Sequence, residues 1–131
     1  MKNIIFKLLK YSYYFSLLIL FVLYLFPGSL IGYLLYGNLG QQPDLISNPI
    51  GTSINHLIFF FYLTTLGLVA RLKYQNFLNS FTFLFSLSVL LELAHWLTPN
   101  RAFEYYDLFA NSIGVATAYL LINIFFKLKI K

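Results

Sequence analysis

Four stretches of this chain, about Tyr11 to Phe26, Ile54 to Ala70, Phe77 to Leu97 and Tyr105 to Phe126, are almost wholly apolar. Between them they hold no lysine or arginine, and their only carboxylates are Glu92 and Asp107. A hydrocarbon core about 30 Å thick is crossed by a helix of about 20 residues. Each stretch meets that length once its flanking residues are included. Composition removes the alternatives. The chain has 131 residues, of which 60% are hydrophobic and 10% charged. A soluble domain of this size buries only about two thirds of the surface its chain exposes, so it could not hide so much apolar area. A water-soluble enzyme and a disordered chain are both excluded on that ground. Strands alternating apolar and polar residues are missing, which excludes a transmembrane β-barrel. The expected fold is all-α: one polytopic membrane domain over residues 1–131, built as a bundle of four transmembrane helices.

The basic residues set an orientation. Of the nine lysines and arginines, all but Arg101 lie at the N-terminus (Lys2, Lys7, Lys10), in the 71–76 connection (Arg71, Lys73) or at the C-terminus (Lys127, Lys129, Lys131). The 27–53 connection has none. Basic loops stay on the cytoplasmic side, so four helices with N-in and C-in satisfy every connection. The same placement disposes of a nucleic-acid partner despite a net charge of +5, because each basic group flanks a span and no basic stripe exists. The first span, with its basic start and no small-residue cleavage site, reads as an uncleaved signal anchor. Tyr11, Tyr13, Tyr14 and Tyr74 are expected as anchors at the inner interface, and Trp96, Tyr105 and Tyr106 at the outer one. The connections of about six and seven residues around the third span make antiparallel hairpins. The 27–53 connection is longer and carries Leu30-Ile31-Gly32-Tyr33-Leu34-Leu35-Tyr36, too short to span, which is expected to lie in the outer interface or dip back into the bundle.

The remaining polar residues concentrate on one side. On this topology His56, Glu92, His95, Arg101, Glu104 and Asp107 all lie toward the outer face, with Asn111 one turn beyond Asp107. Residues three or four apart share a helical face, so Glu92 with His95, and Asp107 with Asn111, each present one inward-pointing pair. Arg101 sits in the loop between them, placed to pair with Glu92. An ionised group at the centre of a membrane helix costs roughly 2.5 kcal/mol or more, so such residues are expected to face the bundle and mark a functional site. His56, Glu92, His95, Arg101, Asp107 and Asn111 are the candidate ligand-binding residues. The bland alternative is a polar clamp that only holds the helices together. Glu104 reads as a solvated loop-end residue and Gly114 as a close helix contact.

Taken together, Glu92-x-x-His95, Pro99-x-Arg101 and Asp107-x-x-Ala110-Asn111 with Gly114 resemble the signature of the VanZ-like family. These are small bacterial membrane proteins named after an accessory teicoplanin-resistance protein. The family pattern runs roughly E-x-x-Q, P-x-R and D-x-x-A-N-x-x-G over the last two helices. His56, followed by Phe60 and Tyr62, is similar to an earlier family stretch. The resemblance covers about residues 52–118. Thr52 and Ser53 stand where the family often has an Asp-Lys pair, His95 replaces the glutamine, and Ala118 stands at a later small-residue position. The resemblance implies a multi-pass protein of the bacterial cytoplasmic membrane, with an envelope-related ligand such as a lipid-linked precursor or a glycopeptide.

Three functions remain open at this level. The first is a non-enzymatic protein of the cell envelope whose outward-facing polar pocket binds an anionic or lipid-linked ligand, with Arg101 on the anion. The second is an accessory subunit that docks on membrane-protein partners. The third is a hydrolase or transferase on a lipid-linked substrate, with Glu92 or His95 as general base. No serine elbow, phosphate-binding loop or H-E-x-x-H motif is present. No cofactor is expected. No metal is expected either, although His56, Glu92, His95 and Asp107 have the chemistry for one. Cysteine is absent, which removes thiolate chemistry.

Overall fold

The computed structural model describes residues 2–43 and 51–129, and every regular element in them is helical. Helix α1 spans Lys2–Leu25 and α2 spans Leu30–Tyr36. Helix α3 spans Gly51–Arg71; after it come a 3₁₀ turn at Phe77–Asn79, α4 at Phe81–Ala94 and α5 at Tyr105–Lys129. Helices α1, α3 and α5 are each long and apolar enough to cross a membrane, and α4 is a shorter apolar helix.

The core is built from stripes at three- and four-residue spacing, which is what places side chains on one helical face. Helix α1 buries Tyr13, Leu17, Leu20 and Tyr24; α4 buries Leu84, Leu87, Ser88, Leu91 and Glu92; α5 buries Asp107, Ala110, Asn111, Val115 and Ala118. The opposite faces carry large exposed apolar side chains such as Phe15, Leu18, Leu90 and Leu120. In water such a surface would be costly; against lipid tails it is the ordinary exterior.

Helix α3 is the hub and packs on α5, α1 and α4. Its closest neighbour is α5, which runs beside it in the same direction. Gly114 makes this approach possible: a Cβ there would lie 2.5 Å from the Leu57 carbonyl oxygen and 3.1 Å from the Phe61 nitrogen. Gly67 plays the same part toward α1, where the Tyr13 ring occupies the space of a side chain. Tyr13 is therefore a core residue, fully buried, with its hydroxyl donating to the Leu78 carbonyl. It is not the interfacial anchor that its position beside the basic N-terminus suggested. Trp96, Tyr105 and Tyr106, by contrast, are exposed at the other end.

The run from Phe77 to Leu97, expected as one helix, is divided at both ends. Asn76 caps the 3₁₀ turn, and the Ser80 side chain then caps α4 by accepting from Phe83 N at 3.2 Å. After Ala94 the bonds shorten to the i→i−3 pattern, His95 N to Glu92 O at 3.1 Å and Trp96 N to Leu93 O at 3.2 Å.

Within the long connection, Pro27 and Gly28 (φ 91°) stop α1 and turn the chain. Ser29 caps α2 by accepting from Gly32 N at 2.9 Å, and Gly37 ends it in the left-handed region at φ 69°. The Leu39 carbonyl accepts from Ser29 N at 2.7 Å, and Asn55 Nδ2 donates to the Pro43 carbonyl at 2.6 Å. The 29–43 segment is thus tied down beside the start of α3. Residues 44–50, the rest of that connection, lie outside the described residues.

Candidate functional site

The end of α1, the starts of α3 and α5 and the end of α4 meet at one end of the bundle. They bring together His56, Glu92, His95, Asp107 and Asn111, with Arg101 from the α4–α5 loop. At the opposite end Lys73 reaches Asn3, and the Lys10 ammonium sits 5.0 Å from the Tyr74 ring centre. Lys10 and Lys73 therefore lie at the end of the molecule opposite the candidate site residues.

Glu92 is fully buried. Its Oε1 lies 3.2 Å from His95 Nδ1 and accepts from Glu104 N at 3.2 Å; its Oε2 accepts from Asn111 Nδ2 at 3.4 Å. Asp107 accepts from Ser53 Oγ at 2.5 Å and lies 3.6 Å from His56 Nε2. The two carboxylates are thus each coupled to a histidine. Tyr24 links the couples: its hydroxyl is 2.6 Å from His56 Nδ1 and donates to Asn111 Oδ1 at 2.9 Å, and its ring stacks on His95.

The pairing of Glu92 with Arg101 expected from the sequence is not what forms. Arg101 Nη2 donates to the Leu23 carbonyl at 2.9 Å. Among the described residues the carboxylates lie instead beside histidines, Asp107 by His56 and Glu92 by His95, contacts that are ion pairs only if the imidazole is protonated. The reason is geometric. With α4 ending at Ala94, the loop carries Arg101 across to the end of α1, whose final carbonyls have no helical partner. Burial holds the guanidinium below its ordinary value, against the opposing influence of Tyr24, Glu92 and Asp107.

A cavity of about 120 Å³ opens beside this network, lined in part by Tyr24, Ser29, Asn55, His56, His95 and Arg101. Four buried side-chain atoms lack a hydrogen-bond partner among the described residues: Asn55 Oδ1, Thr64 Oγ1, His95 Nε2 and Arg101 Nε. Three of these four belong to residues lining the cavity. Buried polar atoms are nearly always paired, so such a concentration marks a place suited to a polar ligand.

The sequence model described as VanZ/LLP1 matches residues 13–126. The chain belongs to that family. The match extends the resemblance read over 52–118 to nearly the whole chain and makes this a membrane protein of the VanZ type. No curated protein and no solved structure matches the chain.

In this VanZ-like chain the structure joins all six candidate residues at one end of the bundle, though Arg101 joins by another route. It adds Tyr24, Ser53 and Asn55. Tyr24 was legible as the fourth member of the Tyr13, Leu17, Leu20, Tyr24 stripe, which carries a hydroxyl at each end. Ser53 stood out only as a position where the resembling family often has a charged residue, and Asn55 had no signal beyond adjacency to His56. One oxygen each from Glu92 and Asp107 and one nitrogen of His56 lie within 4.8 Å of one another, a set able to hold a metal ion. Glu104 is exposed beside the site; partial burial, then the Asp107 and Glu92 carboxylates, raise its carboxyl above the ordinary value.

Proposed function

We propose that this VanZ-family protein crosses the bacterial cytoplasmic membrane four times, with both termini cytoplasmic, and that its polar pocket binds an anionic, lipid-linked envelope ligand from the outer leaflet. The single observation that carries the reading is the set of unpartnered atoms, Asn55 Oδ1, His95 Nε2 and Arg101 Nε, on residues lining one cavity. A guanidinium and an imidazole suit a phosphate or carboxylate, and an amide oxygen accepts from a hydroxyl or amide of the same ligand. The placement of Lys10, Arg71 and Lys73 at the other end supports the orientation. For α4, the 3₁₀ turn before it and the tightened turns after it extend a helix of 14 residues.

One feature favours a second reading, catalysis on such a ligand. Glu92 holds His95 Nδ1 and leaves Nε2 free, the arrangement that makes an imidazole a general base.

The test is complementation of a deletion strain under envelope stress, including lipoglycopeptide challenge. Arg101→Ala, Glu92→Gln and Asp107→Asn are expected to abolish complementation at unchanged membrane abundance, with His95→Gln the mildest. Full complementation by all four would leave only the structural clamp.

A further inference from the structure

The hydrogen-bond directions in the polar network can be followed atom by atom. Asn111 Nδ2 points to two acceptors, the Ser88 carbonyl and Glu92 Oε2, each at 3.4 Å. Its Oδ1 therefore accepts, and the Tyr24 hydroxyl donates to it. A tyrosine has one proton to give. At 2.6 Å from His56 Nδ1, the Tyr24 oxygen must then accept, so the His56 proton sits on Nδ1. In a neutral imidazole that leaves a lone pair on Nε2. Nε2 lies 3.6 Å from Asp107 Oδ2, and the other Asp107 oxygen is already held by Ser53.

Two electron-pair donors thus face each other, and Glu92 joins the cluster: one ring nitrogen of His56 and one oxygen each of Asp107 and Glu92 lie within 4.8 Å of one another. Both carboxylates are buried, and neither forms an ion pair with Arg101 among the described residues. Two negative charges and a lone pair facing inward call for a cation. A divalent ion balances the two carboxylates, and a nitrogen with two oxygens suits zinc or manganese.

We infer that His56, Glu92 and Asp107 form a binding site for a divalent transition-metal ion, zinc or manganese in class. Each ligand is oriented by a second group: His56 by Tyr24, Asp107 by Ser53, Glu92 by Asn111. Such outer partners are what a metal centre requires of its surroundings. Three protein ligands leave coordination positions open to a ligand oxygen, and His56 borders the cavity already described. Metal binding by these three residues requires no envelope ligand in the cavity.

The experiment uses the full chain purified in detergent, stripped with a chelator and dialysed against micromolar zinc or manganese chloride. Bound metal is counted by mass spectrometry, and X-ray absorption reads the ligands. One ion per chain with one imidazole nitrogen is expected. His56→Gln and Asp107→Asn should each weaken affinity by more than about tenfold, Tyr24→Phe by about tenfold, and Glu104→Gln not at all. A wild-type protein that takes up no metal overturns the site, whatever the variants do. So does stoichiometric binding without an imidazole signal, or binding undiminished in folded His56→Gln and Asp107→Asn proteins. Nitrogen NMR showing His56 protonated at both ring positions in the presence of metal would also overturn it, because a proton would then fill the place assigned to the ion.

Discussion

Glu104 shows how a single exposed side chain registers the charge of the site beside it. Its carboxyl is raised by partial burial and by the carboxylates of Asp107 and Glu92. An acid whose folded value is raised stabilises the fold at low pH, and that contribution is lost as pH rises through the folded value. Glu104→Gln imitates the protonated form. Its thermal stability in detergent should equal wild type near about pH 4 and exceed it increasingly toward about pH 7. An advantage that shrinks with rising pH would contradict the stated cause. At this scale the sequence was informative about chemistry and poor about partners. Glu92, His95, Asp107 and Asn111 stood out because charge is scarce in the chain and these residues fall at turn spacing. Arg101 was assigned a carboxylate partner because charge complementarity is readable from sequence, whereas the backbone carbonyl of Leu23, 78 residues away, is not.

Helices were readable from apolar length, and their caps were not. The α3, α4 and α5 stretches lie where hydropathy puts them, but Ser80 and Asn76 split the third run by side-chain capping, a local competition that hydropathy does not weigh. Side-by-side packing of α3 and α5 was also hidden, since short loops advertise antiparallel neighbours and these two helices are parallel. Its one sequence trace is Gly114. A Cβ at that position meets the α3 backbone at Leu57 and Phe61, which cannot withdraw as a flexible side chain would. Gly114→Val should cost about 1–3 kcal/mol by overpacking, read as a lower midpoint of denaturant unfolding in micelles, with wild-type-like stability counting against this close backbone contact. Gly37→Ala meets nothing in space and should suffer only from its positive φ.

For the whole molecule, the prediction is one of sidedness. Lys10, Lys73 and Arg71 gather at one end and the site at the other. A cysteine replacing Asn100 should react with an impermeant thiol reagent in intact cells, and one replacing Gln75 should react only after permeabilisation. Labelling of Gln75 alone would invert the molecule in the membrane. The class of protein was legible from the apolar stretches, and the gathering of polar groups at one end from the placement of the few charges, because lipid leaves so few ways to place them. The parallel pairing of α3 with α5 has a consequence for biogenesis. A chain is made from its N-terminus, so α3 is complete long before its principal partner. Until α5 arrives, Ser53 and His56 lack Asp107, Glu92 lacks Asn111, and the groove that receives Gly114 stands open. The contacts made by Asp107 and Asn111 can therefore form only once α5 packs beside α3. A ribosome-bound intermediate ending before Tyr105 carries every histidine of the site but neither Asp107 nor Asn111.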